Sequence, residues 1–309
     1  MSMMAHIVAA VSMNFTSLER VLEYARLPQE AARALPGDPD PAAWPAAGAI
    51  ELRGASMRYR PGLPLALRDV SVGIAGGSKV GVVGRTGAGK SSLLALVFRL
   101  VEAAARGAVL IDGRDVGALG LRALRSAIVV IPQDPILLEG SVATNLDPFG
   151  AAAGEGGGGP GRAQLRAALR KASLPDDDAF LEKRVEKHGR NFSAGERQLL
   201  CFARALLKKA GRRARILIMD EPTASVDGAT DAAVQRMVRR EFADCTVVTI
   251  AHRLATVMDS DKILVMHRGR AVEYAPPAEL LCDPQSRFAR MVAASPVGQL
   301  GLSQGTTQH

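Results

Sequence analysis

Hydrophobic positions recur along the chain in two rhythms. Runs of apolar, largely β-branched residues at "SKVGVVG" (78–84), "AVLIDG" (108–113), "AIVVIPQ" (127–133), "RILIMDE" (215–221), "TVVTIAH" (246–252), "KILVMHR" (262–268) and "AVEYA" (271–275) have the length of buried strands. Upstream, "AIELRGASMRYR" (49–60) and "LRDVSVGIA" (67–75) also read as short strands. Helical spacing is expected at "SLERVLEYARL" (17–27), from Lys90 onward, over much of 140–207, and at Asp231–Phe242. Strands that alternate with helices predict an α/β fold with a parallel sheet. "LPGDPDPAAWPAAG" (35–48) reads as a Pro-rich linker, which predicts a domain boundary near residue 48. "GAAAGEGGGGPG" (150–161) reads as a flexible low-complexity loop, and the residues from 295 to 309 as a disordered tail.

Composition narrows this picture. An apolar content of 48% in 309 residues suffices for a core, and with only 4% aromatics that core is built from Ala, Val and Leu. No apolar run reaches the roughly 18 residues of a membrane-spanning helix. The closest, Met1–Phe15, is broken by His6, Ser12 and Asn14, and it lacks the basic start and cleavage site of a signal peptide. The expectation is a soluble chain that is not secreted. Cys201, Cys245 and Cys282 are widely spaced, which predicts buried thiols and neither a disulfide framework nor a metal site. The net charge of +8 gathers at Arg162–Lys171 and Lys208–Arg215 without interleaved aromatics, so solvated helix faces are expected there and no nucleic acid.

Two stretches carry chemistry. "GRTGAGKSS" follows a strand and opens a helix, and it satisfies the phosphate-loop pattern. In that pattern Gly84, Arg85, Thr86, Gly87, Ala88 and Gly89 turn backbone N–H groups around a β-phosphate. Lys90 reaches the β- and γ-oxygens, and the Ser91 hydroxyl, beside Ser92, ligates Mg²⁺. "ILIMDE" carries Asp220 to the carboxyl end of a buried strand, where it would hold the Mg²⁺ shell. Glu221 would then orient or deprotonate the attacking water. Together they predict a P-loop nucleotidase that uses ATP and Mg²⁺. A third stretch, "NFSAGERQLLCFARALL" (191–207), starts a helix with Ser193 and Glu196 spaced as a capping box. Whether that helix start only folds, or aims its N–H groups at a phosphate, stays open on these residues.

The order of "GRTGAGKSS", Gln133 in "IPQDP", "NFSAGERQ", "ILIMDEPTASVD" and "TIAHR" resembles the nucleotide-binding domain of ATP-binding cassette (ABC) transporters. The resemblance covers nearly all of residues 14–294. With "YRPGLPLALRDVS" and "IPQDPILLEGSVATNLDPF", it is most similar to the second, C-terminal nucleotide-binding domain of subfamily C, the multidrug-resistance-associated exporters. It implies a P-loop NTPase fold with a RecA-like parallel-sheet core, an antiparallel β-subdomain and an inserted α-helical subdomain at about 140–207. It assigns Ser193 and Gly195 to a signature that caps the γ-phosphate held by an opposite domain in a head-to-tail dimer. Gln133 resembles the loop glutamine that touches Mg²⁺ or water, and His252 the switch histidine that holds the γ-phosphate against Glu221. Asp227 resembles the loop that couples the two sites, and Tyr59 the aromatic that stacks on adenine. The signature departs from the commonest form at Ala194 and Glu196. A carboxylate beside triphosphate repels it unless Glu196 turns back onto the Ser193 backbone.

The implied activity is ATP hydrolysis coupled to export of organic anions or conjugates. The implied partners are transmembrane domains and a second nucleotide-binding domain, in a homo- or heterodimer. The chain would then sit peripherally on the cytoplasmic face of a membrane through that partner. No transmembrane run precedes the domain in this sequence; Met1–Phe15 is read as the cytoplasmic end of a final transmembrane helix, so that the chain is a fragment, a truncated product or a separate subunit. Two other readings compete, a soluble ATPase acting on ribosomes or DNA and a truncated ATP-binding regulatory remnant.

Overall fold

The computed structural model describes residues 2–27, 29–104, 108–148, 161–212, 214–220, 228–251 and 253–295. Most of the Gly-rich loop at 150–161 and the tail beyond 295 lie outside them, as do Glu221, Asp227 and His252. The chain divides after Arg33 into two units. The first holds helix α1 (Ser2–Ala25), which extends the helix expected at 17–27 back to Ser2. Thr16 and Ser17 are tolerated inside it because each hydroxyl donates to the carbonyl four residues back, Ser12 and Met13, at 3.0 Å. Among the described residues no helix is long and apolar enough to cross a membrane.

The second unit runs as β1 (Ile50–Met57), β2 (Leu67–Ile74), β3 (Lys79–Val83), α2 (Lys90–Val97), β4 (Val109–Ile111), β5 (Arg114–Asp115), α3 (Leu121–Ala127) and β6 (Ile128–Ile131). There follow β7 (Gly140–Ser141), α4 (Val142–Leu146), α5 (Arg162–Lys171), α6 (Asp178–Glu182), β8 (Arg184–Val185) and α7 (Ala194–Arg212). The chain closes with β9 (Ile216–Asp220), α8 (Gly228–Glu241), β10 (Thr246–Ile250), β11 (Lys262–His267), β12 (Arg270–Ala275), α9 (Pro277–Cys282) and α10 (Arg287–Ala293). Six strands form one sheet in the order β12-β11-β3-β10-β9-β6, parallel throughout except for the β11–β12 hairpin. The apolar runs of β3, β9 and β10 are buried along nearly their whole length, as strands covered on both faces must be. A separate antiparallel sheet, β2-β1-β4-β5, packs against one face through a shared core that includes Leu52, Val72, Val82, Leu96 and Ile218. The helical subdomain α4–α7 packs on the other side, its Leu169, Leu181 and Phe202 sharing a second core with Met219 of β9 and Phe242 after α8.

The division after Arg33 differs from the boundary expected near residue 48. The Pro-rich stretch is part of the second unit: the Trp44 indole is buried in its core, donating to the Ile111 carbonyl at 3.4 Å. Asp38 Oδ1 accepts from Gly120 N–H at 2.6 Å. The basic insert at 208–215 also has a structural use. Lys208 donates to the Arg125 and Ile128 carbonyls, and Asp244 pairs with both Lys209 and Arg215 at the amino end of the sheet. The second basic cluster is ion-paired as well, through Arg170–Asp176, Arg162–Glu182 and Lys171–Glu241. Cys201 and Cys245 are buried as expected, whereas Cys282, at the end of α9, is exposed.

Candidate nucleotide site

The site begins where β3 ends. Gly84 has φ of +155°, and a Cβ there would lie 2.5 Å from the Met266 carbonyl, so this turn admits only glycine. The loop through Arg85, Thr86 and Gly87 is exposed; Ala88 is buried beneath it, and its N–H donates to the Arg85 carbonyl at 3.0 Å. Gly87 adopts φ of +77° with nothing within 4 Å of its Cβ position, which leaves that side of the cradle open for an anion. Gly89, in a left-handed conformation, caps α2. Lys90 begins that helix; it is only 5% exposed, and its Nζ donates to the Gly84 carbonyl at 2.7 Å, across the mouth of the loop. The next two residues diverge, as a 100° helical step requires: Ser91 is exposed and Ser92 buried.

Register carries the other groups to the same edge. Val82 of β3 pairs with Ile250 of β10, which pairs with Asp220 of β9. Two strand spacings of about 4.8 Å separate the Val82 and Asp220 backbones, so the half-buried Asp220 faces the edge from which the phosphate loop springs, roughly 10 Å along. Ile131 of β6 pairs with Met219, which brings the exposed Gln133 out just beyond the same edge. β10 ends at the same line, with Ala251 N–H bonded to the Val82 carbonyl at 3.2 Å. Glu221 and His252 follow Asp220 and Ala251 directly in sequence, and both lie outside the described residues, as does Asp227.

Tyr59 follows β1, half-exposed, and its hydroxyl is 2.9 Å from Ser92 Oγ. The sequence reading missed what holds that loop in place. At the β11–β12 turn, Gly269 N–H donates to the Ala88 carbonyl at 2.9 Å, and its own carbonyl accepts from Arg68 N–H at 2.8 Å. A Cβ on Gly269 would collide with the Ala66 carbonyl. The same turn brings positive charge: burial, then Arg287, Arg268 and Arg85, hold His267 below its ordinary 6.5. An electropositive surround suits a polyphosphate. The "HRGR" tetrapeptide was the available signal, but only the hairpin's docking on Ala88 gives it meaning.

Ser193 and Gly195 are carried by the helical subdomain, and among the described residues no hydrogen bond links them to the phosphate loop. Glu196 N–H donates to Ser193 Oγ at 3.1 Å, and Ser193 N–H donates to the Glu196 carboxylate at 2.8 Å. This is the reciprocal capping box. The Ser193 backbone contact is the main reason the Glu196 carboxyl titrates below its ordinary 4.5. Preceding the helix, Asn191 bridges Glu186 N–H and the Arg184 carbonyl, and the Lys183 ammonium lies 4.3 Å from the Phe192 ring centre. The loop after Gln133 is tied to the same subdomain. Buried Asn145 bonds both backbone groups of Leu138, and Arg204 donates to the Asn145 and Ile136 carbonyls.

A parallel sheet whose phosphate loop, strand-end carboxylate and glutamine loop share one edge defines a P-loop nucleotide-binding domain. The family described as "ABC transporter" matches residues 67–224. Among curated proteins, "Multidrug resistance protein mrp-7" of Caenorhabditis elegans is 46% identical over 93% of this chain. "ATP-binding cassette sub-family C member 3" of Homo sapiens is 44% identical over 90%, and sub-family C member 2 of Rattus norvegicus 45% over 89%. The chain spans only 18% of the length of the first two and 17% of the third. The solved "Structure of a bacterial Atm1-family ABC exporter with ATP bound" superposes with a TM-score of 0.78 at 28% identity, over 94% of this chain and 49% of that one. The chain belongs to the ABC transporter family, as an ATP-binding domain of the subfamily C type.

Proposed function

We propose that this chain is the second nucleotide-binding domain of a subfamily C exporter, whose ATP hydrolysis powers the outward movement of organic anions or conjugates. The observation that carries the reading is the alignment of the phosphate loop with Asp220 and Gln133 on one sheet edge. The domain extends from about residue 34 to 294, with the helical subdomain at about 140–207. Residues 1–33 connect it to transmembrane helices.

ATP lies with its phosphates in the loop from Gly84 to Gly89, its base on Tyr59, and its γ-phosphate reached by Lys90. The Ser91 hydroxyl, the Asp220 carboxylate and the Gln133 amide oxygen are hard oxygen donors that fit Mg²⁺. Bound there, Mg²⁺ would neutralise charge on the phosphates. Glu221 accepts the proton of the attacking water, and His252 holds the γ-phosphate against it. These two assignments, and that of Asp227 to coupling between sites, rest on sequence position.

Ser193 and Gly195 serve a different nucleotide, held by an opposite domain. The capping box supports this role, because it turns the Glu196 carboxylate back onto Ser193 N–H while the helix start keeps its favourable dipole for a phosphate. One chain therefore holds half of each composite site, and closure on ATP needs a second copy or a related domain. Attachment to the cytoplasmic face of a membrane follows from the transmembrane partner.

The test is ATP hydrolysis by the purified chain over a range of protein concentrations, with Glu221→Gln as control. Specific activity that rises with concentration and vanishes in the control is the expected outcome. Turnover insensitive to Glu221→Gln would overturn the assignment of the base, and failure to bind ATP would overturn the reading as a whole.

A further inference from the structure

Positive charge is treated differently in different parts of the chain. In the basic clusters it is neutralised: Arg162, Arg170 and Lys171 pair with Glu182, Asp176 and Glu241, and Lys209 and Arg215 share Asp244. Beside the phosphate loop it is not. Arg85 in the loop, Arg268 and Arg270 on either side of Gly269, and Arg287 at the start of α10 are all exposed. Among the described residues none of these four side chains makes an ion pair or a hydrogen bond. The carboxylate of the same hairpin, Glu273, is turned to the start of α10, accepting from the Ser286 hydroxyl at 3.0 Å and from Arg287 and Phe288 N–H at 2.6 and 3.1 Å. Asp283, four residues before Arg287, accepts from Gln285 N–H at 2.8 Å. Two contacts seat the hairpin turn against the phosphate loop: Gly269 N–H donates to the Ala88 carbonyl at 2.9 Å, and the Met266 carbonyl lies 2.5 Å from the Cβ position of Gly84. After burial, it is Arg287, Arg268 and Arg85 that hold His267 below its ordinary 6.5, which places three guanidiniums around one imidazole. Like charges gathered in this way repel one another, and they also project their field over the cleft beside them.

We infer that Arg268, Arg270 and Arg287 form a steering collar for the nucleotide: they draw its phosphates toward the loop from Gly84 to Gly89 before binding, and they do not touch it once it is bound. The inference rests on the nucleotide-binding reading above and adds a division of roles, in which the loop holds the nucleotide and the collar captures it. Attraction between exposed charges acts through solvent and is screened over about 10 Å at 0.1 M salt. Charges at the rim of a site accordingly change the rate of association and its dependence on salt, and leave dissociation alone.

Stopped-flow fluorescence of the full chain with N-methylanthraniloyl ATP and Mg²⁺, at low and high salt, tests this. At about 0.02 M salt the double variant Arg268→Gln/Arg287→Gln should associate about three- to fivefold more slowly than wild type, and at about 0.5 M the gap should close. Dissociation should be unchanged at both. Arg268→Lys/Arg287→Lys, which keeps the charge and loses the guanidinium, should associate like wild type. Arg170→Gln/Arg240→Gln removes the same net charge from ion pairs elsewhere on the surface and should have little effect. Three results would overturn the inference: unchanged association in the first variant, an equal loss in the Arg170/Arg240 variant, or faster dissociation that salt does not erase. The last would make the arginines direct contacts of the bound nucleotide. A wild-type chain that binds no nucleotide at either salt would overturn the reading of the site itself, and the collar with it.

Discussion

Gly269 and Gly77 offer a matched pair of substitutions. Their backbones have nearly the same left-handed φ, +77° and +78°, so an alanine at either position carries the same intrinsic strain, about 1 kcal/mol. Their surroundings differ. Nothing lies within 4 Å of a Cβ on Gly77, whereas one on Gly269 would run into the Ala66 carbonyl, with Leu67 Cα at 3.4 Å. Gly269 cannot easily step aside, because its N–H and carbonyl are bonded to Ala88 and Arg68. Releasing one or both bonds adds about 1 kcal/mol each. Gly269→Ala should therefore cost about 2–3 kcal/mol against about 1 for Gly77→Ala, measured by urea unfolding. If the Ala66 loop yields instead, Tyr59 moves with it. ATP binding should then fall in Gly269→Ala and stay unchanged in Gly77→Ala, which lies at the opposite edge of the sheet. Equal unfolding costs with unchanged ATP affinity in both variants would refute the claim that this turn supports the base platform.

The capping box gives a pH signature. Because the folded-state carboxyl of Glu196 titrates below its ordinary 4.5, the stability it contributes is present above that value and is lost as pH falls through the folded value. The gap in unfolding free energy between wild type and Glu196→Ala should be about 1 kcal/mol at pH 7 and shrink below about pH 4.5; a gap that persists at pH 3 would count against it. The cysteines give another. Burial raises the Cys201 thiol and pushes Cys245 up to about 11, while Cys282 is exposed. A disulfide reagent at pH 7 should modify one thiol quickly in the native chain and the other two only on unfolding; rapid loss of three would contradict this packing.

Much of this was legible from the residues. β9 and β10 announce themselves because a strand covered on both faces tolerates only apolar side chains, and "ILIM" and "TVVTI" contain almost nothing else. The phosphate loop is legible because its glycines answer to local backbone geometry, visible in Gly84 and Gly89 without knowledge of the fold. The fastening of the Tyr59 loop was not legible. It depends on a hairpin turn meeting a loop some two hundred residues earlier, and no local pattern around Gly269 encodes Ala66. That one helix runs unbroken from Ser2 through the 17–25 stretch was not legible either, because exposed Met3, Met4, Ile7 and Phe15 mark no single apolar face.

Trp44 has a practical meaning for anyone who shortens this chain. A cut placed at the composition change near residue 48 would discard the indole while keeping the slot that receives it, beside Ile111. It would also remove Asp38, leaving Gly120 N–H at the start of α3 without its acceptor. The shortened protein would still carry every residue of the nucleotide site, yet it would present a sticky apolar notch to its neighbours in solution. Its poor behaviour would be easy to blame on the chemistry, when the fault was the position of the scissors.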